Sequence, residues 1–300
     1  MDVVLLKKLD RIDQFLRSFT SKNTREAYER DLRGYAAFAG ASDPLSFSTL
    51  SQYRDHLIAT SAPATVVRKF SAVKSFLAFL ASEGVIPFNP AMNLKVPKAR
   101  TIEHTEAFDD SEVTVVIDKA DVNSFSGSTH RIALVLLFNL GIRRSELVNL
   151  RVGSFGEQRG KRFVTIHGKG DKSRFIPLTE LVIEELNAYL MRYEEFTGES
   201  LDQKDFLLQS NRFERNDKPI NPSTIYRMVK QYAKEAGVTK RVSPHSCRAT
   251  MISHLLEKQV SPRCVADMAG HASINTTVII YYKKIYALNN PAAGQVSYGC

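Results

Sequence analysis

The segment VSPHSCRATMISHLLEKQVSPRCVADMAGHASINTTVIIYYKKIY, residues 242–286, carries a His245–Arg248 pair, a Gly270–His271 dipeptide and two adjacent tyrosines, Tyr281 and Tyr282. Ser243-Pro244 is a helix start, with Ser as N-cap and Pro at the first helical position. His245 and Arg248 then share one face of the first turn. Free amide N–H groups and the positive end of the helix dipole point the same way, which suits an anion. A guanidinium adds a two-pronged, charge-assisted grip on phosphate oxygens. Val260 to Gly270 reads as a second short helix closed by Gly270 as C-cap, which leaves His271 on a turn. Asn275-Thr276-Thr277 opens a last helix, with the tyrosines further along it. Each feature alone is ordinary: HxxR pairs are common, and tyrosines beside Val278 and Ile285 at helical spacing usually serve a core. Their combination points to a place where a backbone phosphate is gripped, activated and attacked.

The 300 residues suffice for two domains, and the composition is globular, with 43% hydrophobic and 24% charged residues. A net charge of +9 favours a polyanionic partner. Residues 1–100 hold 15 Lys+Arg against 9 Asp+Glu, a net of +6, so this third is the more basic. Cys247, Cys264 and Cys300 form neither a CxxC nor a ligand-like cluster. Disulfide frameworks and metal sites are therefore not expected, and a reducing compartment is. Val3-Val4-Leu5-Leu6 is too short for a signal peptide, and no apolar run approaches membrane-spanning length, so no membrane partner is expected.

Residues 1–93 read as a helical bundle. Apolar spacing predicts helices over Leu5–Phe19, Thr24–Ala39, Phe47–Thr60 and Ala62–Ser82. In the second, Tyr28, Leu32, Tyr35 and Phe38 form one stripe. In the fourth, Val66, Phe70, Val73, Phe76, Leu77 and Leu80 face inward. The bundle leaves Arg25, Arg68, Lys69 and Lys74 for solvent or for sequence-blind phosphate contacts on DNA. Residues 94–108, with Pro97 and no clear period, read as a linker.

Residues 109–286 form a second, mainly helical domain. Asp109-Asp110-Ser111 caps a helix through Lys119. Ser126 to Ser128 reads as a loop before a buried helix, Thr129–Leu140. In Gly141–Leu150 (GIRRSELVNL) a new helix starts, with Ser145 and Glu146 in its first turn. An arginine between two apolar helices is costly unless paired or facing a ligand, so one of Arg143 and Arg144 points into a polar site. Phe163–His167 and Ser173–Leu178 alternate as two strands of a hairpin, with Lys169 at its tip between two glycines. GKGDKS lacks the spacing of a nucleotide-binding P-loop. Leu178–Phe196 and Ser223–Ala236 are further helices, and Asp202–Gln209 holds a short strand. Residues 287–300 read as a tail.

The order GIRRSEL, then GKGDKSRFIPL, then PHSCR, then GH, then Tyr resembles the tyrosine recombinases, also called the phage integrase family, whose relatives include Xer-type recombinases, Cre and lambda-type integrases. The resemblance covers nearly the whole chain, and the motif set is specific where its members singly are not. It implies a mostly α fold: an N-terminal helical bundle (a SAM-like core-binding domain) and a mainly helical catalytic domain with a small antiparallel sheet, clamped on DNA in a C shape. It implies a catalytic set of Arg143, Lys169, His245, Arg248, His271 and a tyrosine, with Glu146 as the acidic residue that orients the first arginine. The family's nucleophile usually lies nine residues after the second histidine, which here is Ile280. The nearest phenols are Tyr281 and Tyr282; the smaller shift selects Tyr281, with Tyr282 as the alternative. Ala249 stands where relatives often carry histidine.

The resemblance implies site-specific recombination of double-stranded DNA through a 3′-phosphotyrosyl intermediate, without metal or other cofactor, by a homotetramer on two DNA sites in the cytoplasm. Two rivals are a catalytically silent DNA-binding protein of this fold and a type IB topoisomerase-like enzyme. The choice among integration, excision, resolution and inversion stays open.

Overall fold

The computed structural model describes residues 11–97, 106–168, 172–210, 218–271 and 273–277. The chain divides into two compact units, Met1–Glu103 and His104–Cys300. In the first, helices α1 (Arg11–Arg17), α2 (Lys22–Ala39), α3 (Phe47–Thr60) and α4 (Pro63–Ser82) pack around one apolar core. Their starts follow from local chemistry: Ser21 and Ser46 accept the Thr24 and Thr49 N–H groups, and Pro63 opens α4. The part of the predicted first helix before Arg11 lies outside the described residues.

All six inward positions expected on α4 are buried, as are Leu32 and Tyr35 on α2. Phe38 departs from the expected stripe: it is 37% exposed and lies against Tyr53 and His56 rather than in the centre. Asp31 on α2 is buried, and a carboxylate there needs a partner. Arg68 from α4 supplies it as an ion pair.

The second unit is built around a helix that is buried on nearly all sides. After α5 (Asp110–Asp118), helix α6 spans Phe125–Leu140. Ser126–Ser128, expected as a loop, are its first turn: Ser124 accepts the Gly127 N–H and so starts the helix earlier. Gly127 allows this close start, because a Cβ there would lie 1.9 Å from the Asp121 carbonyl oxygen. Ile132 to Phe138 are all buried, as expected of a helix enclosed by others.

A short helix α7 (Arg144–Val148) and a 3₁₀ turn (Val152–Ser154) lead into a three-stranded antiparallel sheet, β1 (Phe155–Gln158), β2 (Lys161–His167) and β3 (Ser173–Pro177), in that order. The β2–β3 hairpin is the expected one, and its tip at 169–171 lies outside the described residues. Strand β1 was not expected. It pairs with β2 across Arg159-Gly160, both at positive φ (55° and 71°), a two-residue hairpin turn. Val164 and Ile176 pair on the buried face, and Phe163 and Phe175 meet edge to face on the other. The strand expected within Asp202–Gln209 reduces to a single bridge between Phe206 and Arg151.

Helices α8 (Glu180–Thr197), α9 (Pro222–Glu235), α10 (Pro244–Glu257), α11 (Pro262–Ala269) and α12 (Ile274–Thr277) complete the described chain. Helices α8 and α10 both pack on α6. The segment before α5 is fastened to the start of α10. Lys240 Nζ donates to Asp109 and Glu112 at 2.7 and 2.8 Å, and the Phe108 N–H donates to Thr250 Oγ1 at 2.8 Å.

Gly127→Ala forces a methyl group against a backbone carbonyl. We expect it to destabilise the protein by about 1–3 kcal/mol, measured by urea denaturation of the full chain.

Candidate active site

Four element ends converge in the second unit. Helix α6 stops at Gly141, which has a left-handed C-cap conformation, and α7 starts two residues later with Arg143 as N-cap. Helix α10 starts at Pro244, and α11 stops at Gly270. Strand β3 runs past all of them and packs against α11.

Arg143 Nη1 donates to Glu146 Oε1 at 2.8 Å, and its backbone N–H donates to Oε2 at 2.8 Å. Its Nη2 donates to the Gly270 carbonyl at 2.7 Å. Both arginines weighed from sequence are exposed, and Arg143 is the one turned into the polar site. Arg248, from the first turn of α10, is 2% exposed and donates from Nη1 to the Gly141 carbonyl at 2.7 Å.

His245 stands one turn before Arg248 and is exposed. His271 follows the α11 cap, its N–H donating to the Ala266 carbonyl and its Nδ1 sharing a 2.7 Å hydrogen bond with Thr277 Oγ1. Gly270 has φ +69°, a conformation that disfavours any side chain, and so delivers the next residue out of the helix line.

Sequence reasoning passed over Arg174. From β3 its Nη1 and Nη2 donate to the two Glu146 oxygens at 3.0 and 2.8 Å, and its Nε donates to the Met268 carbonyl at 2.9 Å. A signal was present: in Ser173-Arg-Phe-Ile-Pro177 the strand period puts Arg174 on the same side as buried Ile176. A charged side chain on the inward side of a strand needs a partner.

Electrostatics follow from this crowd of cations. Burial works to raise the Glu146 carboxyl, but hydrogen bonds from Arg174 and from the Arg143 backbone outweigh it and hold the group below the usual carboxylate range. His245 is held below its ordinary value by desolvation, then by the charges of Arg248 and Arg143. His271 is lowered to about 4, by desolvation first and then by Arg248, Arg143, His245 and Arg174. At neutral pH the site therefore offers two fixed guanidiniums beside two neutral imidazoles. That arrangement can bind a phosphate diester and set an imidazole donor and an imidazole acceptor beside it.

Of the residues expected from sequence, Arg143, His245, Arg248 and His271 come together. Lys169, Tyr281 and Tyr282 lie outside the described residues. Arg25, Arg68, Lys69 and Lys74 belong to the first unit. Arg25 is exposed, Lys69 half-buried, Arg68 engaged by Asp31, and Lys74 donates to the Met92 carbonyl at 3.2 Å.

The sequence pattern of the Phage integrase family matches residues 107–287, and that of the phage integrase N-terminal SAM-like domain matches residues 12–84. The chain is 30% identical over 283 residues to tyrosine recombinase XerD of Staphylococcus saprophyticus, covering 92% of each. It is 29% identical over 286 residues to XerD of Staphylococcus aureus, covering 91% of this chain and 94% of that one. In structure it is similar to the XerH site-specific recombinase in a post-cleavage complex with palindromic difH substrate (TM-score 0.71, 18% identity, 90% of this chain and 80% of that one). It is similar also to a lambda integrase tetramer bound to a Holliday junction (TM-score 0.71, 18% identity, 92% and 77%).

His271 gives the site a pH signature. Its ring titrates at about 4 in the folded chain against 6.5 for the free side chain. Between those values the unfolded chain takes up a proton that the folded chain refuses, so this histidine costs stability as pH falls through that window and nothing above it. NMR titration should find the His271 ring neutral down to about pH 4, and His271→Gln should remove this part of the acid loss. A ring titrating near 6.5 would show that it is neither desolvated nor surrounded by the guanidiniums.

Proposed function

The chain belongs to the phage integrase family, and from that premise we propose that it is a site-specific DNA recombinase that cuts and rejoins strands through a 3′-phosphotyrosyl link. The observation that carries this reading is the gathering of two guanidiniums from distant parts of the sequence around His271: Arg143 on the Gly270 carbonyl, and Arg248 on the Gly141 carbonyl two residues before Arg143.

The chemistry is assigned residue by residue. A phenol has an ordinary pKa of about 10 and attacks poorly near neutral pH without help. Arg143 and Arg248 neutralise the non-bridging oxygens of the scissile phosphate and the charge added in the pentavalent transition state. Neutral His271, with Nδ1 engaged by Thr277, presents Nε2 to a non-bridging oxygen. Neutral His245 accepts the proton of the attacking tyrosine, and the arriving negative charge strengthens it as a base.

Tyr281 is the nucleophile, with Tyr282 the alternative. Its oxygen bonds to phosphorus as the bond to the 5′ oxygen breaks, and Lys169 protonates that leaving oxygen. The ester energy is kept in the phosphotyrosine, and a 5′ hydroxyl from a partner strand reverses the step. The reaction so assigned needs neither ATP nor a metal.

Exchange between two duplexes breaks four strands, so the working form is a homotetramer on two sites. The similarity to a recombinase tetramer on a Holliday junction supports that count. The surplus of cations in the first hundred residues supports a role for Arg25, Arg68, Lys69 and Lys74 in holding the DNA backbone. A DNA substrate places the protein at the nucleoid in the cytoplasm, and among the described residues no helix is long and apolar enough to cross a membrane.

A nicked suicide duplex tests the reaction. The bound site is first selected from a random-sequence pool. Wild type and Tyr282→Phe should form a covalent adduct that survives denaturation, and Tyr281→Phe should not. The opposite pattern moves the nucleophile to Tyr282, and no adduct from wild type overturns the reading.

The DNA-holding role is checked separately. Lys69→Ala should weaken binding to all sequences alike and reduce the salt slope by about 0.9. Arg68→Ala should in addition lower the melting temperature, since it strands buried Asp31.

A further inference from the structure

Arg174 has no place in the mechanism above, yet all three of its nitrogens donate to the site. Two donate to Glu146 and one to the Met268 carbonyl. Its guanidinium also lies on Gly270, where a Cβ would stand 2.7 Å from Nη1. Its side chain is 15% exposed, against 43% for Arg143. Held in this way, it is not turned towards an incoming phosphate.

Glu146 accepts four hydrogen bonds, two on each oxygen: one from the Arg143 side chain, one from its backbone and two from Arg174. That fills a carboxylate's acceptor capacity. Arg143 therefore gives Glu146 only Nη1, and its Nη2 reaches the Gly270 carbonyl beside His271. Without Arg174 two acceptor positions on Glu146 fall empty. The nearest cation able to fill them is Arg143, which would close into a two-pronged pair with the carboxylate.

We propose, resting on the recombinase reading of this site, that Arg174 is a positioning residue: by filling Glu146 and holding the Met268–Gly270 turn, it keeps Arg143 available to the scissile phosphate. Arg174 also lies on the strand that leaves the Lys169 hairpin.

The test is a double-mutant cycle with Arg174→Met, Glu146→Gln and the pair, read as single-turnover adduct formation at saturating DNA, with DNA affinity and melting temperature alongside. Arg174→Met should slow adduct formation by about 100-fold, the scale of one lost transition-state donor, with DNA affinity unchanged. Adding Glu146→Gln should restore about tenfold of that loss, because a carboxamide no longer competes for Arg143. A mere structural staple predicts the reverse, a double variant slower and less stable than either single one, and that result overturns the proposal. So does a wild-type rate in Arg174→Met.

A crystal structure of Arg174→Met without DNA decides the matter independently of activity. Arg143 should have turned both Nη groups to Glu146, and an unmoved Arg143 overturns the proposal. If wild type forms no adduct, the recombinase reading fails, while this structural outcome still judges the positioning role.

Discussion

Taking the Glu146 carboxylate out of water costs several kcal/mol, and in this protein two guanidiniums and a backbone N–H offset that cost. The second unit's polar centre depends on this exchange. With Glu146 ionised, the Arg143–Glu146–Arg174 group carries one net positive charge rather than two. Arg248 adds a second cation nearby, anchored on the Gly141 carbonyl. A third uncompensated guanidinium would strain the unliganded site. Desolvation and the same charges keep His245 and His271 neutral, so each ring offers one hydrogen-bond donor nitrogen and one acceptor nitrogen near neutral pH.

Helix ends give the arrangement its geometry. The last carbonyls of a helix have no partner within it and draw cations. Arg248 donates to Gly141 at the end of α6, Arg143 to Gly270 at the end of α11, and Arg174 to Met268 in the last turn of α11. Each guanidinium thus completes a helix terminus with some of its donors. For Arg143 and Arg248 the terminus also fixes where the guanidinium stands. Replacing either arginine therefore removes a helix cap as well as a cation from the site.

Much of this was readable from residue chemistry. Pro244 after Ser243 marked the start of α10, Gly270 marked the end of α11, and the apolar spacing of α4 named its buried face. Arg143, His245, Arg248 and His271 were grouped by the family resemblance that the order of motifs carries, since each motif alone is ordinary. What escaped notice lacked such signals. Strand β1 is four residues, Phe-Gly-Glu-Gln, with too little alternation to reveal a strand, and its turn uses Arg-Gly rather than Asn-Gly. The early start of α6 depends on a serine cap and on a glycine tolerated by tertiary packing. Arg174 was passed over although the strand period set it beside Ile176, because its partner Glu146 is remote in sequence and only the folded strand brings them together.

The central claim is that Arg143 and Arg248 act on one phosphate as a unit. Single-turnover cleavage by Arg143→Lys, Arg248→Lys and the double variant measures this directly. Groups that serve one transition state are strongly non-additive, so the double variant should lose little more than the worse single one. A double loss equal to the product of the two single losses would mean that the arginines act independently, and would contradict the account.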